Sequence, residues 1–139
     1  MADSVQIGIN RIYLKDLSFE SPASPQIFRE DSRPEIKIDV SVRHQLIEAS
    51  LYEVTLVITA TGVKGGQKSF VVEVEQAGLF TIQGVPSEHM AHVLTVFCPN
   101  LLFPYARQAI DSAMNQGSFP SLLLPPFNFE SLLKGPPPN

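Results

Sequence analysis

The sequence predicts an α+β subunit: a four-stranded antiparallel sheet with a long crossover after strand 1, covered on one face by a kinked helix, plus a short C-terminal helix. Three observations carry this. Runs of alternating apolar residues recur up to about residue 82 with no helical pattern between them, which implies antiparallel pairing and one face left to cover. After Pro86 the apolar spacing switches to that of a helix. Between the first two runs lies a proline-rich stretch too long for a tight hairpin.

The first strand is expected from about Val5 to Phe19. Val5, Ile7 and Ile9 alternate, then the parity slips to Ile12 and Leu14 and on to Leu17 and Phe19, which predicts a bulge or bend. Residues 20 to 34 carry Pro22, Pro25 and Pro34 and form the crossover. In the next strand Ile36, Ile38, Val40 and Val42 alternate with Lys37, Asp39, Ser41 and Arg43, so one face is buried and one is wet. Tyr52, Val54, Leu56, Ile58 and Ala60 continue the pattern to the glycine-rich reversal at residues 62 to 66. The returning strand, about Lys68 to Ile82, places Phe70, Val72, Val74 and Gln76 on one face and Val71, Glu73 and Glu75 on the other.

Met90, Val93, Leu94 and Phe97 then follow at helical spacing, with Ser87 as N-cap. Pro99 is expected to end that stretch and Pro104 to open a second one with Tyr105, Ala109, Ile110 and Met114, closed by Gly117 in the C′ position. Together they make the kinked helix. Phe119 to Phe127 reads as an extended, apolar connection holding three prolines. A short last helix is expected from Asn128 through Phe129, Leu132 and Leu133.

A chain of 139 residues fits one domain, 1–139, with residues 135–139 as a flexible tail. A single cysteine, Cys98, leaves no intrachain disulfide framework and suits a reducing compartment. No stretch nears the roughly 20 apolar residues of a membrane span, and Asp3 stands where a signal peptide would be positive, so the expected location is the cytoplasm. A net charge of −4 with scattered basic residues argues against nucleic acid and favours a basic partner. His44, His89, His92 and Cys98 are the residue types an enzyme would use, but they lack a motif: His89 and His92 read better as polar residues on a packed or interfacial helix, and Cys98 as a small core residue. No catalytic residue, metal or cofactor is expected.

Taken jointly, Arg11 to Glu20, Met90-Ala91-His92 and Cys98-Pro99-Asn100-Leu101-Leu102-Phe103-Pro104-Tyr105-Ala106-Arg107 closely resemble the SecB family of protein-export chaperones. The likeness runs over about residues 6 to 133. It implies ATP-independent holding of unfolded secretory precursor proteins, delivery to the motor SecA, and a homotetramer built as a dimer of dimers. It further implies that Asp16, Glu20, Val71 and Glu73 contact SecA, with valine at 71 where the family has leucine. Val72, Val74, Gln76, Met90 and His92 are expected to bear on assembly. Pro22, Pro25, Ile27, Phe28, Phe119, Leu122, Leu124, Phe127, Phe129, Leu132 and Leu133 are expected to form the client groove. A SecB-like chaperone dedicated to one client, such as a toxin–antitoxin pair, and a small enzyme using His89, His92 and Cys98 are the alternatives.

Overall fold

The computed structural model describes residues 4–30 and 33–133, so the expected tail at 135–139 lies outside the described residues. Four long strands, β1 (Gln6–Glu20), β2 (Glu35–Glu48), β3 (Leu51–Lys64) and β4 (Gln67–Gln83), form one antiparallel sheet in the order β1-β4-β3-β2. The first two strands are therefore opposite edges. The crossover, with a 3-10 turn at Gln26–Arg29, carries the chain from one edge to the other.

The parity slip in β1 is resolved by two register shifts, between Ile9 and Arg11 and between Leu14 and Asp16. Each inserts one residue, so Ile7, Ile9, Ile12, Leu14, Leu17 and Phe19 all stand opposite helix-facing positions of β4. Without the shifts half of them would point to the other face. Gly65 and Gly66 make the β3–β4 turn with φ of 57° and 77°, the positive values a two-residue hairpin demands. Gly62 serves packing: a Cβ there would sit 2.3 Å from the ring of Phe70, its cross-strand partner.

The cover is one helical run: α1 (Ser87–His92), a π turn at Val93–Phe97, and α2 (Cys98–Gln116). Two expectations are corrected here. Pro99 does not end the helix; the π turn just before it shifts the hydrogen-bond pattern, and Pro99 enters α2 in its first turn, where a missing N–H is tolerated. Pro104 lies in the interior of α2 instead of opening it, and the carbonyl it deprives belongs to Asn100, an exposed residue where water can replace the bond.

The helix ends differ too. Pro86, not Ser87, occupies the N-cap, and no side chain caps it. Gly117 has φ of −85°, while Ser118 takes the left-handed value of 65°. Glycine is needed at 117 because a Cβ would meet the Phe19 ring at 2.3 Å. The last element opens at Asn128 as expected, whose side chain accepts the Glu130 N–H at 3.2 Å, but forms a 3-10 turn at Phe129–Leu133.

Cys98, Leu102, Ala106, Ile110, Ala113 and Met114 recur along the buried side of α2 and pack over β3 and β4. Val54, Leu56, Ile58, Val72, Val74 and Phe80 answer them from the sheet with no measurable exposure. Each large aliphatic buried this way contributes roughly 1.5–3 kcal/mol. Because α2 lies over the two central strands, the helix-facing sides of the edge strands are left partly bare. Ile9, Leu14 and Leu17 on β1, and Ile36, Ile38 and Leu46 on β2, are exposed.

Candidate functional site

On the β2 side, residues 119–128 leave α2 without regular structure and run beside the bare edge strand. Two clefts open along this path. The first, about 260 Å³, lies between Ile36, Phe70 and Met114 and the wall residues Phe119 and Leu122, with Arg33 at its border. The second, about 200 Å³, lies between Ile38, Val40, Ile58 and Phe103 and the wall residues Leu124 and Phe127. Their lining is mainly aliphatic and aromatic, suited to apolar side chains of many shapes.

Phe119 anchors one end of the wall. Its ring centroid stands 6.1 Å from Phe19, 5.5 Å from Phe28 and 5.3 Å from Phe70, tying together β1, the crossover and β4. Phe129 anchors the other end, edge-on to Phe103 and Phe127 at 6.2 and 5.0 Å. At 1% exposure Phe129 supports the wall from behind instead of lining it. Leu132 is half-buried against the core and Leu133 is exposed. Pro22 and Ile27 border a separate, more polar hollow with Gln26, Glu30 and Gln67, and Pro25 is exposed beside it. The sequence-selected groove residues thus fall into two groups on either side of Phe119 and Phe28.

The sheet face away from the helix carries the acidic residues. Register sets Asp16 opposite Glu75, Ser18 opposite Glu73 and Glu20 opposite Val71, in adjacent rows. Carboxylate oxygens of Asp16, Glu73 and Glu75 lie within 4.8 Å of one another. Thr59 donates to Glu73 at 2.9 Å, and Arg43 pairs with Glu75, so both glutamates are held in place. Like charges set this close repel, and a basic partner would relieve them. Val71 is half-buried between the acids.

Further along this face Glu53 is buried among donors. Tyr13 donates to one oxygen, while Lys15 at 2.8 Å and Gln45 at 3.1 Å donate to the other. Burial pushes the carboxyl up, but hydrogen bonds from Lys15, Tyr13 and Gln45 outweigh it and leave the acid below its usual range. Burial, with the Glu53 charge, pushes the Tyr13 phenol up to about 12. The lowered acid contributes stability that is present above about pH 4.5 and lost as pH falls through its folded value; the tyrosine contribution persists below pH 10 and is lost as pH rises through about 12. Glu53→Gln is expected to lower the urea midpoint at pH 7 by weakening the Lys15 pair, at a cost of about 1–2 kcal/mol, with the difference from wild type shrinking toward pH 3.

Val72, Val74 and Gln76 are buried beneath α2, so any bearing on assembly passes through the helix they support. Met90 is half-buried, and His92 is exposed with Nε2 3.9 Å from Glu130. Phe97 and Tyr105 are exposed apolar residues on the same helical run, 43% and 50% accessible. Cys98 is fully buried, and desolvation pushes its thiol up to about 12, far from a thiolate at neutral pH. Among the described residues the close group of metal-capable side chains is the acidic trio, not the histidines.

The sequence reading missed the polar stripe of α2 that faces the wall. Arg107, Asp111 and Asn115 recur every four residues and meet the chain at residues 121–124. Their spacing was the available signal. The β2 residues Ile36 and Ile38, which form the cleft floors, were read only as a strand face.

Open apolar clefts along a sheet edge suit the binding of extended polypeptide, as in proteins of the chaperone class. The family model described as preprotein translocase subunit SecB matches residues 1–135. The chain belongs to the SecB family of protein-export chaperones, a family of chaperones and not of enzymes. The protein-export protein SecB of Ectopseudomonas mendocina is 47% identical over 127 residues, covering 91% of this chain and 79% of the relative. That of Pseudomonas fluorescens is 46% identical over 131 residues, covering 94% and 82%. A SecB-like chaperone of Mycobacterium tuberculosis, solved with a peptide from an antitoxin, shares the fold with a TM-score of 0.65 at 16% identity, covering 88% of each chain.

Proposed function

We propose that the chain, acting as one domain in the bacterial cytoplasm, holds unfolded secretory precursors without ATP and delivers them to SecA as a homotetramer. The observation that carries holding is the pair of apolar clefts strung along β2, where an extended client could lay successive side chains. Weak contacts suffice when several subunits engage one long client and raise its effective concentration. Delivery rests on Asp16, Glu20 and Glu73 around Val71, a surface matched to a basic partner. Exposed Ile9, Leu14 and Leu17 on β1, with Phe97 and Tyr105 on the helical run, favour assembly between subunits, and Met90 and His92 lie on that run.

Light scattering with and without an unfolded precursor tests this directly. A particle of four subunit masses that takes up the unfolded precursor and ignores its folded form is the expected result. A monomer indifferent to the unfolded chain would overturn the reading.

A further inference from the structure

We infer that the Arg107–Asp111–Asn115 stripe is a positioning clamp for the cleft wall, and that it presents Leu123 outward as an additional contact for apolar client segments. This rests on the holding reading above. Asp111 Oδ1 accepts two successive backbone N–H groups, from Leu122 at 2.9 Å and Leu123 at 3.4 Å. Arg107 donates to the Leu124 carbonyl at 3.4 Å, and Asn115 donates to the Ser121 hydroxyl at 3.3 Å. The stripe therefore grips mainly the backbone of four consecutive residues, leaving the leucine side chains free for other contacts. Convergence of adjacent N–H groups on one oxygen is the geometry of an anion-holding nest, here closed by the protein's own carboxylate.

Leu123 has φ of 51°, a left-handed conformation that a residue with a side chain rarely adopts. Leu122 and Leu124 enter the two clefts, while Leu123 is turned out and 74% exposed. A strained backbone that holds a large apolar side chain in water gains nothing for the core. Its position between the two clefts makes it continuous with the proposed client path, and the occupant is accordingly an apolar stretch of unfolded polypeptide. Arg107 is itself steadied, its guanidinium lying 5.7 Å from the Phe103 ring centroid.

The test is equilibrium binding of a reduced, carboxymethylated lactalbumin, which stays unfolded, to the full chain at a temperature where every variant is folded. Leu123→Ser is expected to weaken binding about fivefold, as expected for loss of much of one leucine's apolar contact, with an unchanged urea midpoint. Asp111→Ala is expected to weaken it at least as much by releasing the wall, whereas Asp111→Asn, which keeps an acceptor oxygen, restores most of the affinity. Wild-type affinity in Leu123→Ser and Asp111→Ala would overturn the inference while leaving the holding reading intact. Should Asp111→Ala fail to fold, Leu123→Ser decides alone. Absence of binding by the wild-type chain would instead remove both.

Discussion

Reversing Glu73 to lysine is expected to cut affinity for SecA by at least about tenfold while leaving uptake of unfolded precursors unchanged. The acidic surface lies on the sheet face opposite the clefts, so the proposed delivery and holding surfaces are separated by the thickness of the sheet. An exposed ion pair contributes only about 0.2–1 kcal/mol, and neutralisation by Glu73→Gln should cost accordingly little. Reversal does more. A lysine at 73 would replace a negative charge by a positive one and pair with Asp16, whose oxygen already lies within 4.8 Å of the glutamate's, so two of the three patch carboxylates are lost to the partner at once, Glu75 being already engaged by Arg43. The loss should appear mainly in the association rate and narrow as salt rises, because charged patches in general steer encounter more than they lock a complex. Titrations of SecA at about 50 and 300 mM salt check both points, given a screening length near 10 Å at 0.1 M. Unchanged SecA affinity in Glu73→Lys would remove this patch from the delivery step.

The largest stability effect is expected for Leu102→Ala. Leu102 is fully buried on α2, and its Cδ2 lies only 3.1 Å from where a Cβ on Gly78 would stand. Helix and sheet therefore approach closely here, with Phe80 packed beside them. Truncation leaves a cavity that long, paired strands cannot collapse to fill, and a cost of about 2–5 kcal/mol follows. Chemical unfolding at fixed protein concentration measures it, since assembly would otherwise shift the midpoint. A loss under about 1 kcal/mol would mean that α2 settles onto the sheet more freely than its packing implies.

Much of the fold was legible because its signals are short-range. Strict alternation marked β2, β3 and β4, and the slips among Ile9, Ile12, Leu14 and Leu17 announced bulges whose purpose only pairing revealed: keeping one face apolar. The prolines misled. A break at Pro99 follows from its missing N–H, but the π turn that accommodates it answers to packing of Val93, Leu94 and Val96 against the core. Gly117 was legible as a helix end yet for the wrong cause, since Phe19, distant in sequence, dictates it. For the candidate site, parity placed Val71, Glu73 and Glu75 on the outer face of β4, whereas Asp16 and Glu20 came from the family resemblance and join them only through the register shifts of β1. The clefts were not legible, because their floors come from β2 and their wall from residues some eighty positions later. Asp111 escaped notice because a lone acid on an amphipathic helix looks like solvated surface until the chain it grips is in view.

The strand order carries a consequence for the making of the molecule. Gln6 pairs with Gln83 and Glu20 with Val71, so the first of these four strands to be synthesised finds its partner in the fourth. At about 5–20 residues per second, the wait between the two is on the order of 4–15 s. Throughout it, a nascent segment displaying Ile7, Ile9, Ile12, Leu14, Leu17 and Phe19 is exposed to every neighbour in the cell. Arg11, Lys15, Asp16 and Glu20 are the charges this segment carries, the kind of residue that disfavours pairing with a foreign strand. During its own synthesis, a member of a chaperone family thus displays the kind of apolar segment that chaperones cover in other chains.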